Sequence, residues 1–165
     1  MKTRNPLARA AASVVIAAAL LAGTAGCTFV TPQATLIEYN PGNGVAGQVG
    51  SVELRNVVAI SGDDGKTVSL LITLINSGTD DATVQLQFES GGEPLNDLKA
   101  VKAGEALAFG NKGEEQIVIP NAGVELGGLM PVYAQYGDNA GVQLMVPVLG
   151  ADGIYDGLGA DPVSN

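Results

Sequence analysis

Thr24, Ala25, Gly26 and Cys27 follow one another at the end of an apolar run, and their types and order suit one piece of chemistry. They read as a lipobox, where a bacterial lipoprotein is cut before its cysteine and lipidated on the sulfur. Cys27 is the only cysteine in the chain, so it has no partner for an internal disulfide. Lys2, Arg4 and Arg9 make a positive start, and Ala10 to Ala22 supply the apolar stretch of a secretory signal. That stretch falls short of the about 20 apolar residues that a bilayer-spanning helix needs. An ordinary secretory signal is the competing assignment, but Ala22-Gly23-Thr24 meets its Ala-x-Ala-like site only loosely. A diacylglycerol thioether on Cys27 would provide two hydrocarbon chains, each anchoring by about 0.8 kcal/mol per buried methylene.

The rest of the chain is poor in reactive groups. It has no histidine, which removes the commonest general base and the commonest transition-metal ligand. Ser-His-Asp and Cys-His arrangements are therefore excluded within this chain. Lys66 and Ser69 have the types of a Ser-Lys pair, but three positions apart on a strand they point to opposite faces. Asp63-Asp64, Asp80-Asp81 and Glu114-Glu115 are neighbours in expected loops. Glycoside hydrolysis needs carboxyls facing each other across a cleft at about 5–9 Å. Asp152, Asp156 and Asp161 do not have the spacing of an EF-hand loop and read as a solvated acidic tail. No glycine motif for nucleotide phosphates is present. The residues thus assign no catalytic group, no metal and no cofactor.

The elements that carry these residues are β in pattern. Residues 1–26 read as the signal peptide, and 27–50 as a tether and lead-in punctuated by Pro32, Pro41, Gly42, Gly44, Gly47 and Gly50. Leu36, Ile37 and Tyr39 interrupt that pattern and suggest a docked stretch or a short first strand. Residues 51–149 predict the folded domain. Val52 and Leu54 alternate with polar neighbours, Thr67 to Ile75 is densely apolar, and Val84, Leu86 and Phe88 alternate with Thr83, Gln85 and Gln87. Gly91-Gly92-Glu93-Pro94 reads as a break, followed by short runs at 105–109 and 116–119 and a last pair at 126–136 and 142–148. No helical period is visible in this part. Short strands with glycine turns predict an all-β fold, an antiparallel β-sandwich with Greek-key connections. Residues 150–165 form an acidic, glycine-rich tail, expected to be loosely held apart from Tyr155 and Leu158.

Cleavage before Cys27 leaves 139 residues that carry all 17 acidic side chains and five of the eight basic ones, a net charge of −12. That is the size of one domain plus a tether. So acidic a surface resists nucleic acid and anionic lipid, so no nucleic-acid partner is expected. The membrane contact would come from the lipid on Cys27, with the domain on the outer face of the cytoplasmic membrane. The expected partner is another envelope protein. Arg55, the only arginine after Cys27, is expected to pair with a neighbouring carboxylate on its strand.

Tyr39-Asn40-Pro41-Gly42-Asn43-Gly44 and Val49-Gly50-Ser51-Val52-Glu53-Leu54-Arg55-Asn56 carry a family likeness. With the lipobox before them, the chain resembles the actinobacterial LpqE-like lipoproteins over most of residues 27–148. That family is similar in fold to the periplasmic copper chaperones of the PCu(A)C type. The resemblance therefore implies an immunoglobulin-like or cupredoxin-like sandwich. It would also imply His and Met copper ligands. Here histidine is absent, and Met130 and Met145 are the only methionines after Cys27, which makes them weak candidates for a soft-metal site. The expected function is that of a non-catalytic, lipid-anchored accessory protein of the envelope, with a degenerate metallochaperone as the alternative.

Overall fold

Apolar alternation becomes nine strands in the computed structural model, which describes residues 6–25 and 42–160. The strands are β1 (Val45–Val49), β2 (Val52–Ser61), β3 (Val68–Asn76), β4 (Ala82–Ser90) and β5 (Glu93–Val101). They continue as β6 (Ala106–Phe109), β7 (Ile117–Ile119), β8 (Leu129–Tyr136) and β9 (Val142–Gly150), followed by a 3-10 turn, Gly153–Tyr155. The chain divides into two units, Met1–Tyr39 and Asn40–Asn165. The described residues of the first form the helix α1 (Pro6–Ala25), whose Val14, Val15 and Ile16 are exposed. Among the described residues no helix is long and apolar enough to cross a membrane.

The second unit is an all-β sandwich made by curling one mixed sheet, with strand order β5-β4-β8-β9-β2-β3-β6. β9 belongs to both layers. Leu129 to Ala134 of β8 pair antiparallel with Pro147 to Val142 of β9, while Val148 to Gly150 run parallel to Ala59–Ser61 of β2. β1 takes the remaining part of that edge of β2, and β6 and β7 share the far edge of β3. Between the layers lies a dry core that includes Leu54, Leu70, Ile72, Leu74, Leu86 and Val132. Each such side chain, fully removed from water, contributes roughly 1.5–3 kcal/mol of burial.

The apolar run Val57 to Ile60 has a geometric cause. The β2–β3 register shifts between Arg55 and Val58, and Asn56 sits in the left-handed region at φ 50°. This bulge changes the inward parity, so that Val52 and Leu54 point into the core before it and Val57 and Ala59 after it. Val58 and Ile60 then face outward, where Leu71 joins them in a second apolar cluster covered by Leu149, Ala151, Tyr155 and Leu158. Both faces of this stretch are dry, hence the unbroken apolar sequence.

Three segments differ from the sequence reading. The segment 150–160, expected to be loosely held, lies as a strap over the outer face of β2 and β3, with Ala160 only 2% exposed. Residues 45–49, assigned to the lead-in, form β1, while Leu36, Ile37 and Tyr39 lie outside the described residues. Glu93 and Pro94, read as part of a break, begin β5, so only Gly91 and Gly92 form the turn.

Candidate functional site

Residues 42–44 and Asn56, from the two segments that carry the family likeness, meet in space. A Cβ on Gly44 would stand 2.6 Å from the Asn56 carbonyl carbon, and one on Gly42 would stand 2.8 Å from Asn56 Oδ1. The lead-in therefore needs glycine where it crosses the β2 bulge. Asn43 Nδ2 donates to the Tyr155 hydroxyl at 3.1 Å, which ties the lead-in to the strap. These motif residues work as a structural seam.

The candidate lipid site falls at the limit of the description. Thr24 and Ala25 close α1, whereas Gly26 and Cys27 lie outside the described residues.

The candidate metal ligands are held apart. Met130 lies opposite Val146, is 1% exposed and belongs to the core. Met145 lies opposite Pro131 on the solvent side and is 48% exposed. The pleat puts the two thioethers on opposite faces of one sheet, so they cannot share an ion. With no histidine in the chain, the donor set does not fit a copper site of the His and Met kind. Among the described residues no group of three or more acidic or cysteine side chains is placed to hold a metal.

Most of the paired carboxylates serve local structure. Asp64 accepts from the Thr67 N–H at 2.8 Å, the Lys66 N–H at 2.9 Å and the Thr67 hydroxyl at 2.7 Å. The Thr67 N–H foremost, then the other two donors, hold its carboxyl below the usual aspartate range. Asp81 accepts from the Ala103 N–H, and Glu114 from Asn111 Nδ2. Arg55 pairs with Glu53 two residues away on β2, as expected for a strand charge. Lys66 lies before β3 while Ser69 is buried within it, and the pair does no joint chemistry.

Sequence reasoning missed Lys99. Its side chain points between the layers at their open side, where β5 of one faces β6 of the other. Asp97 and Glu115 bind the ammonium at 3.0 and 2.5 Å, and its Nζ lies 5.1 Å from the centre of the Phe109 ring. Burial alone would pull the lysine pKa down. The hydrogen bonds and charges of Glu115 and Asp97 outweigh that and raise it.

Sequence reasoning also missed a surface, because it needs β5. On the outer face of β5-β4-β8-β9, the register puts Asn96, Gln87, Tyr133 and Gln143 side by side in one row. Gln87 and Gln85 both donate to Asn96 Oδ1 at 3.1 Å. On the same face Leu98, two residues along β5 from Asn96, is 63% exposed, and Leu129, at the start of β8, is 55% exposed. Among the described outward positions of these strands, Glu89 is the only charged side chain. A groove of about 340 Å³ runs along Gln87, Glu89, Pro94, Pro131, Tyr133 and Gln143.

No protein-family model and no curated protein matches the chain. Solved structures do match in fold. A copper-bound PCuAC domain from PmoF2 aligns with a TM-score of 0.50 at 12% identity, over 64% of this chain and 98% of that one. The apo PCuAC domain of PmoF1 aligns with a TM-score of 0.54 at 13% identity, over 64% and 99%. The apo PmoF2 domain gives 0.50 at 12%, over 66% and 98%. At such identities the likeness establishes a PCuAC-like sandwich and nothing about its cargo.

Proposed function

We propose that this chain is a lipid-anchored accessory protein of the bacterial envelope. It would be held to the outer face of the cytoplasmic membrane through Cys27 and act by docking another envelope component rather than by catalysis. Membership of the LpqE-like lipoproteins, read from residues 39–44 and 49–56, is part of the proposal. One observation carries it: the outer face of β5-β4-β8-β9 is open and almost uncharged in a chain whose part from Cys27 onward bears −12. A strongly acidic molecule repels most neighbours of like charge, and such a face is where contact costs least desolvation of ions. Exposed Leu98, Leu129, Tyr133 and Met145 supply the apolar area that contact surfaces use.

The test is a photoreactive amino acid introduced in place of Tyr133 in living cells, with Lys112 in a distant loop as the comparison. Capture of a defined envelope component from position 133 and not from 112 is expected. Equal capture from both positions, or none, would remove the docking face from the account.

A second reading, copper handling, is favoured by the PCuAC-like fold. It is weakened by the split of Met130 from Met145 across the sheet. Competition for Cu(I) against a chromogenic chelator decides it. No stoichiometric complex is expected, and a complex lost on Met145→Leu would reinstate this reading.

A further inference from the structure

We infer that the outer-face row Asn96–Gln87–Tyr133–Gln143 is a binding site for an uncharged polysaccharide chain. The inference rests on the docking reading above and names the chemical class that fits that face.

The row crosses four strands at about 4.8 Å spacing and so extends for about 14 Å, a length suited to a linear chain of sugar rings. Its chemistry is that of hydroxyl recognition. Each amide offers both a donor and an acceptor, as a sugar hydroxyl does, and neither needs an ionic partner. Asn96, Gln87 and the neighbouring Gln85 are also pre-ordered. Gln85 and Gln87 each give one N–H to Asn96 Oδ1, which leaves their second N–H, their carbonyl oxygens and the Asn96 NH₂ for a ligand. Fixing them before binding reduces the ordering cost.

Tyr133 supplies the platform. Its hydroxyl and ring edge occupy the space where a Cβ of residue 141 would project, and Gly141 leaves that space free. The ring rests on the sheet there and remains 38% exposed. An aromatic ring with one polar end can cover the apolar C–H face of a sugar while hydrogen-bonding at its edge. Pro94 and Pro131 give the groove stiff walls beside the row. The scarcity of charge bears on the ligand, with Glu89 the one charged side chain that lines the groove. An acidic polymer is repelled by the −12 domain, and a basic one finds only Glu89 on this face. A neutral glycan meets neither penalty.

The experiment is calorimetric titration of the full chain in polyoxyethylene detergent micelles, since a sugar-headed detergent would compete. The probes are maltoheptaose, mannohexaose and arabinohexaose, with a polygalacturonate oligomer as the charged comparison. At least one neutral probe is expected to bind, and the polygalacturonate is not. Tyr133→Ala is expected to weaken binding about ten-fold, and Tyr133→Phe to keep most of it. Gln143→Leu, which preserves size and leaves the ring in place, is expected to weaken it as well, with the thermal midpoint of both unchanged within a few degrees. Lack of binding by all neutral probes, or binding untouched by Tyr133→Ala and Gln143→Leu, overturns the inference. If photo-capture from position 133 yields a protein while the oligosaccharides fail, the glycan assignment falls and the docking reading stands. If capture fails too, both fall.

Discussion

Two buried polar residues of β3 show how single side chains set the stability of the sandwich. Asn76 is fully buried and fully used. Its Nδ2 donates to the Asp80 and Val101 carbonyls at 2.8 and 3.2 Å, and its Oδ1 accepts from Ser51 Oγ and the Gly78 N–H. It fastens the β3–β4 loop to the end of β5. Asn76→Ala strands these partners and is expected to cost about 2–3 kcal/mol in urea unfolding. Ser69 is the opposite case, since its Oγ is buried with no hydrogen-bond partner among the described residues. Ser69→Ala is expected to be neutral or to stabilise by about 1 kcal/mol. Asp64 adds a pH effect of known sign. Its folded pKa is lowered, so its contribution is complete above the ordinary aspartate value and fades as pH falls through the lowered one. Acid titration of Asp64→Asn should lack that component. At this scale the sequence was readable only for composition: the absence of histidine and the scarcity of methionine are visible in it. That Met130 is inside and Met145 outside depends on the β8–β9 register, which no count of residues supplies.

Among the elements, legibility followed burial. β4 announced itself because Val84, Leu86 and Phe88 face a dry core while Thr83, Gln85 and Gln87 face water. β5 pairs with β4 along its whole length yet stayed hidden. It is an edge strand with a proline near its start, and its inward positions include Asp97 and Lys99, so the usual alternation is scrambled. β1 was masked by Gly47, whose bare backbone lets Leu144 pack against it. The ion cluster of Lys99 offers a test of how the open side is held. A raised lysine pKa means that its stabilisation is complete below about 10.4 and is lost as pH climbs through the folded value. Lys99→Met is expected to cost about 1–2 kcal/mol at neutral pH and to flatten the loss of stability above pH 10. The strap makes a separate prediction. Replacing both Tyr155 and Leu158 by Ala should lower stability by about 1–3 kcal/mol. It should also speed amide exchange in β2 and β3, whose Val58, Ile60 and Leu71 it uncovers.

At the scale of the whole molecule, charge and the proposed anchoring would divide the work. A lipid on Cys27 would fix position, the acidic surface would keep unwanted neighbours off, and one neutral face would be left for contact. Mass spectrometry of the membrane-extracted chain is expected to find an N-terminal Cys27 carrying a diacylglyceryl group. A free thiol, or retention of residues 1–26, would move the protein off the membrane account. The fold class was readable from strand alternation, whereas the proposed contact face was not, because it is assembled from β4, β5, β8 and β9 across some sixty residues of sequence. The most direct measurement of the central claim compares oxidative side-chain labelling of the chain in native membranes and after purification. Tyr133 and Met145 should be labelled in the purified chain and protected in membranes, with the buried Met130 unreactive in both. Equal labelling of Tyr133 and Met145 in the two states would mean that nothing docks on this face, and would contradict the account.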